Sequence, residues 1–127
     1  MISELEAATA YAKAWNRLDG TDFIEMLADD ATYSSQWDFT PLVGKQAIRA
    51  YLIPKIQAVK DVGARVYAEL ATTSDKTSTH NCVAMAQGEQ ETVQAVVVFK
   101  IKAGLIQHFV MCQPESLSIV RTGKYPE

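Results

Sequence analysis

No run of lysine or arginine occurs anywhere in this 127-residue chain, and its formal net charge is −3. Nucleic acids and anionic membranes are held by clustered cationic side chains, so neither is an expected partner. Neither G-x-G-x-x-G nor G-x-x-x-x-G-K occurs, so no glycine-rich loop is present to cradle a nucleotide cofactor. Two cysteines, Cys82 and Cys112, are too few for a disulfide scaffold. The longest apolar stretch, around residues 95–99, is far too short to span a bilayer. The opening MISELEAATA lacks the basic-then-apolar order of a secretory signal. A cytoplasmic setting with reduced thiols is therefore the expectation.

What is present is a globular composition, with 48% hydrophobic and 21% charged residues. A chain of this length supports one core, so residues 1–127 are read as a single domain. Its first half carries helical periodicity and its second half alternates, the order of an α+β fold rather than of a parallel α/β sheet. Ser3 and Glu6 form a capping box that opens a first helix along Leu5, Ala8, Ala12 and Trp15. Asp19 and Gly20 should end it, with Gly20 in the left-handed cap. Thr21 or Asp22 caps a short second helix, closed by Asp29 and Asp30.

Residues 31–37 then read as a strand and DFTPLVG as a loop. A third helix begins near Lys45 and buries Ile48, Tyr51, Leu52 and Ile56. Pro54 should break or kink it. Strands near 65–72, 79–87, 92–102 and 105–113 follow at the close spacing of an antiparallel meander, which Pro114 ends. The tail from residue 115 to 127 carries no clear pattern.

Three segments carry a family resemblance. YAKAWNRLDGTDFIEMLADDATY resembles the start of SnoaL-like domains and of ketosteroid isomerase, VGKQAIRAYL resembles the start of their third helix, and LIQHF resembles their last strand. The resemblance covers roughly residues 4–113. It implies the nuclear-transport-factor-2-like, cystatin-like architecture: three N-terminal helices packed on a curved antiparallel sheet, forming a cone around one pocket.

The resemblance also implies where a catalytic set would fall. Tyr11 takes the place of the oxyanion tyrosine of ketosteroid isomerase. Ser35 takes the place of the aspartate base, and Val97 that of the protonated aspartate. A serine hydroxyl cannot replace a carboxylate base near neutral pH, and valine donates no hydrogen bond. Steroid isomerisation by that route is excluded.

The same alignment directs Tyr11, Trp15, Tyr33, Ser35, Trp37, Phe39, Tyr51, His80, Cys82, Val97, Phe99, His108 and Val110 toward the pocket. Such an apolar, aromatic lining suits a small apolar or aromatic ligand. Any one of these aromatics also reads as ordinary core. His80 and His108 are the chain's two histidines. Strand geometry would set them about 10–12 Å apart, bracketing a ligand as an acid/base pair with Tyr11. The direction of His108 depends on the hairpin at Ala103-Gly104, where a bulge would turn it to the other face. His108 and Cys112 lie about 13 Å apart along one strand, so these residues with His80 and Cys82 cannot converge on zinc. Neither metal nor cofactor is expected.

Three functions stay open. The chain could be a small-molecule-binding domain, or a cofactor-independent isomerase, dehydratase or cyclase using Tyr11, His80 and His108. It could also be an assembly domain. Val96, Val98, Phe109 and Met111, placed on the face opposite the pocket, would form an apolar patch and favour a homodimer under all three.

Overall fold

The computed structural model describes residues 1–127, apart from the side chain of Phe39. Phe39 as a pocket residue therefore lies outside the described residues. Three helices, α1 (Glu4–Arg17), α2 (Thr21–Glu25) and α3 (Lys45–Asp61), pack on a seven-stranded sheet. The strands are β1 (Leu27–Ser35), β2 (Asp38–Val43), β3 (Val66–Ser74), β4 (Thr79–Gln87), β5 (Ala95–Lys102), β6 (Leu105–Cys112) and β7 (Ile119–Lys124). Their order across the sheet is β2-β1-β6-β5-β4-β3-β7. The expected α+β cone is present, and the meander β3 to β6 is antiparallel throughout. One pair departs from the antiparallel pattern: β1 runs parallel to β6.

Local chemistry explains the helix ends. Ser3 Oγ accepts the Glu6 amide at 3.1 Å and Glu6 Oε1 accepts the Ser3 amide at 3.2 Å, completing the capping box. At the other end Leu18, not Gly20, takes the left-handed conformation, with φ 56°. Gly20 serves a different need. A Cβ there would stand 2.9 Å from Ile56 Cδ1 and 3.2 Å from Ile53 Cδ1, so its bareness lets α3 approach closely. α3 continues unbroken through Pro54, because Pro54 and Ala50 are both exposed and water can take the Ala50 carbonyl that Pro54 cannot bond.

Two further expectations are corrected. Asp29 and Asp30 do not close α2; they are exposed residues within β1, which begins at Leu27. DFTPLV is not a loop but β2, paired antiparallel with β1. β2 is an edge strand, where Pro41 need not donate to a ladder on its outer side.

The inner face of the sheet, against the helices, is set by register. Val83 pairs with Val97 and Met85 with Ala95, and these four are buried in the main core. In the β5–β6 hairpin, Ala103 and Gly104 both have positive φ (54° and 76°), a two-residue turn matched to strand twist. The irregularity lies further along. Lys100 faces His108 while Ile101 faces Ile106, so Gln107 is an extra residue on β6. Beyond it the alternation is inverted. Phe109 and Met111 join the inner core, whereas His108, Val110 and Cys112 turn outward.

The outer face is largely covered by the chain itself. Ala71, Cys82, Ala84 and Val96 are buried there beneath Val93, Leu117 and Ile119. Of the four residues expected to form an apolar patch for a homodimer, Val96 is fully buried and Phe109 and Met111 face inward, while Val98 lies part-buried on the outer face. The tail residues 115–127 contain β7, which pairs with β3. Glu69, buried on β3, holds this tail: it accepts Arg121 Nε and the Gly123 amide, each at 2.7 Å.

β7 pairs with β3 only from Leu70 to Thr73, leaving the start of β3 without a strand on that side. Asn16 of α1 fills the gap. Its Oδ1 accepts the Ala68 amide at 2.8 Å, and its Nδ2 donates to the Ala68 carbonyl at 2.8 Å and to the Pro126 carbonyl at 2.7 Å. Ala68 is fully buried, so Asn16→Ala strands one buried donor and one acceptor. A loss of about 2–4 kcal/mol is expected in urea unfolding. A loss below about 0.5 kcal/mol would show that water satisfies this edge.

Candidate functional site

The helices cover the sheet unevenly. At the closed end, Tyr11 packs edge-on to Phe23 (5.0 Å between centroids) and to Phe99 (5.6 Å), with Phe109 beneath at 5.9 Å. At the other end three neighbouring spaces lie between α3 and the sheet, sharing wall residues. A narrow crevice is walled by Tyr11, Trp15, Tyr33, Tyr51, Phe109 and Met111, with Ile48 and Leu52 of α3. A cleft of about 350 Å³ opens beside it, toward Ser35, Trp37, Asp38, Thr40 and Leu42. On the other side a cleft of about 180 Å³ runs between Trp15, Val59, Val66, Met85, Gln87, Gln94 and Ala95. Lys55 and Met111 border all three.

Two tyrosines form the partition. Tyr33 and Tyr51 stack at 5.8 Å and 26°. Lys55, one turn after Tyr51, donates to the Tyr51 hydroxyl at 2.6 Å. Burial pushes the Tyr11 and Tyr33 hydroxyls far above the usual phenol range, and the neighbouring tyrosines add to this. Both stay protonated and can only donate or accept hydrogen bonds, not act as bases. The Trp15 indole N–H offsets part of the burial effect at Tyr11. It does not reach hydrogen-bond geometry, however, and Trp15 Nε1 is buried without a partner among the described residues.

The sequence-expected residues divide into three groups. Tyr11, Trp15, Tyr33, Ser35, Trp37 and Tyr51 line the neighbouring spaces. Val97 and Phe99 face inward but are packed in the core, outside the walls of those spaces. Cys82, Val110, His80 and His108 do not face the spaces at all. The 88–94 connection sets Val83 rather than Cys82 opposite Val97, and the Gln107 bulge turns His108 and Val110 outward.

On the outer side, His108 Nδ1 lies 2.6 Å from Thr32 Oγ1 and 3.1 Å from the Thr32 carbonyl. His80 stands at the rim between Glu4 of α1 and Asp75 of the β3–β4 turn. The two histidines and Tyr11 therefore do not form one acid/base set. Among the described residues, no group of three His, Cys, Asp or Glu side chains could hold a metal ion.

Lys55, Met111, Gln87 and Gln94 were not legible as site residues. Lys55 had one available signal, its spacing of four from Tyr51 on a helix. Met111 was hidden by the bulge. A further groove, of about 400 Å³, runs between α1 and α2 on the solvent side. Glu6, Lys13, Arg17, Asp19 and Asp22 line it with both signs of charge.

Comparison with known proteins agrees with this architecture. A family model described as SnoaL-like domain matches residues 8–109. A SnoaL-like protein of unknown function from Burkholderia thailandensis superposes with TM-score 0.62 at 16% identity, over 94% of each chain. An uncharacterized cystatin fold protein from Novosphingobium aromaticivorans gives 0.59 at 17% identity, over 87% of this chain and 98% of its own. A Sinorhizobium meliloti protein named "putative polyketide cyclase" gives 0.59 at 19% identity, over 87% of this chain and 99% of its own. Likeness at such identities shows the fold alone. No curated protein matches the sequence. No helix is long and apolar enough to cross a membrane.

His80 provides a test of the rim geometry. Its Nδ1 lies 3.1 Å from Glu4 Oε2 and its Nε2 3.0 Å from Asp75 Oδ2. Asp75 is itself held well below the usual carboxylate range by the Thr77 and Ser78 amides. The Glu4 contact first, then Asp75, raises the His80 pKa above its ordinary value of 6.5. Because the folded value is the higher one, the stabilisation is complete below pH 6.5 and is lost as pH rises through the folded pKa. Wild type should therefore lose urea resistance relative to His80→Asn as pH rises above 6.5. Parallel urea midpoints over that rise would show that the contacts contribute nothing.

Proposed function

Because the chain belongs to the SnoaL-like domain family, we propose that it is a small-molecule-binding domain. The proposed ligand is an apolar or aromatic compound entering between α3 and the sheet. One observation carries this reading: Trp15, Tyr33, Tyr51 and Met111 wall three adjoining spaces at the open end of the cone. Apolar walls with a few convergent polar groups are the usual makeup of ligand pockets. The polar groups here include the Tyr11 and Tyr33 hydroxyls, the Trp15 N–H and the Lys55 ammonium as donors, with Ser35, Thr40, Gln87 and Gln94 able to donate or accept. The one carboxylate on these walls is Asp38, at the mouth, where its Oδ1 accepts the Thr40 amide at 3.0 Å. No imidazole is among them. A set rich in donors and poor in bases supports binding more than proton abstraction.

A second reading, cofactor-independent catalysis, draws on the cyclase name of the Sinorhizobium meliloti neighbour and on Tyr11. A phenol that stays protonated at the crevice wall can polarise a carbonyl oxygen. Under this reading Tyr11→Phe lowers turnover, whereas His80→Ala and His108→Ala, altered outside the cleft, leave it unchanged.

The binding reading is tested by titrating ¹⁵N-labelled protein with 1-naphthol, a neutral aromatic probe. The Trp15 indole resonance and the Met111 amide should shift together and saturate. Saturable binding that leaves both unmoved would assign the ligand to another surface, and absence of binding by any apolar aromatic probe would count against the reading itself.

A further inference from the structure

Resting on that reading, we infer that the ligand is a flat organic anion of one or two fused rings, its anionic oxygen on Lys55 Nζ and an acceptor atom on the buried Trp15 indole N–H. Lys55 is exposed and borders all three spaces. Its partner among the described residues is the Tyr51 hydroxyl, which leaves the positive charge uncompensated. No carboxylate lies within ion-pair distance of it among the described residues, whereas Lys45 has Glu25 and Arg121 has Glu69. An ammonium with two free donors facing an aromatic cleft is a site for a charged oxygen.

The charge distribution selects one side of the partition. Asp38 borders the 350 Å³ cleft and would repel an anion there. The 180 Å³ cleft has Lys55 as its one charged residue, with Gln87 and Gln94 as its other polar side chains. Trp15 lines that same cleft and the crevice. Its N–H is buried without an acceptor among the described residues, a cost that a ligand oxygen would relieve. Met111, common to all three spaces, adds an adaptable thioether wall beside the indole. The cleft volume is below the roughly 300–1,000 Å³ usual for drug-sized ligands, which limits the ring system to one or two rings. Met85, Met111 and the Trp15 ring favour a flat apolar body.

Isothermal titration with 2-naphthoate and 2-naphthamide tests this. The two probes share ring and carbonyl and differ in charge. Wild type should bind naphthoate about tenfold or more tightly than naphthamide, the worth of a charge-assisted hydrogen bond. Lys55→Met should abolish that difference, with naphthoate losing about tenfold more than naphthamide. Trp15→Phe should weaken both probes roughly three- to tenfold, with circular dichroism reporting the fold. Should Trp15→Phe not fold, Lys55→Met still decides, because Lys55 is exposed. Equal binding of the two probes, or naphthoate affinity unchanged in Lys55→Met, overturns the anion assignment and leaves the small-molecule reading standing. Binding of neither probe overturns the anion assignment too, and 1-naphthol then shows whether the broader reading falls with it.

Discussion

Phe109 holds the two layers of this fold together. Its ring lies 5.2 Å from Phe23 and 4.6 Å from Tyr33, with Tyr11 at 5.9 Å and Phe99 at 6.3 Å. Through these contacts one side chain of β6 touches α1, α2, β1 and β5. Aromatic groups of this size dominate core burial, and their edge-to-face arrangements add specificity to it. The contact exists because Gln107 is an extra residue in β6. Without that bulge His108 and Val110 would face the helices, and two aromatic layers would lose their common member.

The open end of the cone follows from the same packing. Aromatic rings fill the closed end, and α3 is anchored there by Ile48, Leu52 and Ile56. Gly20 lets α3 lie close at its Ile53–Ile56 segment. On its other flank α3 carries Tyr51, stacked on Tyr33 of β1, and the exposed Lys55. The crevice, the two clefts and the unpartnered Trp15 N–H all lie along this seam. A donor left unpaired in a core is a cost that folding alone does not explain.

The sheet's outer side shows the opposite arrangement. There the 88–94 connection and the tail fold back over Cys82, Ala84 and Val96, and an ion pair between the buried Glu69 and the exposed Arg121 fixes the tail to β3. Removing one partner of such a pair is costly because it leaves an uncompensated buried charge. The chain thus closes one face of its sheet with the 88–94 connection and its C-terminal tail and leaves the other face open at one end.

The helical half was legible from sequence because helix signals are local: the Ser3–Glu6 box, the 3.6-residue stripe and the turn at Asp19-Gly20 act within a few residues. The meander was legible for the same reason, since alternation and short turns need no distant partner. Tyr11, Trp15, Tyr33 and Tyr51 were found at the open end because each faces inward from an element whose register local pattern specifies. What each face of β4 and β6 presents was decided only by tertiary structure. A single extra residue inverts every side chain beyond it, and nothing in LIQHFVMC marks Gln107 as that residue. His108 was misplaced and Met111 missed on this account, whereas His80 was misplaced by the register that the 88–94 connection sets between β4 and β5. β2 and β7 were likewise invisible, because an edge strand with Pro41 and a polar tail become strands only when β1 and β3 offer them a ladder. The sequence by itself determined which segments fold and that they form a cone. Pairing across the sheet decided which side chains look into it, because register depends on partners far apart in the chain.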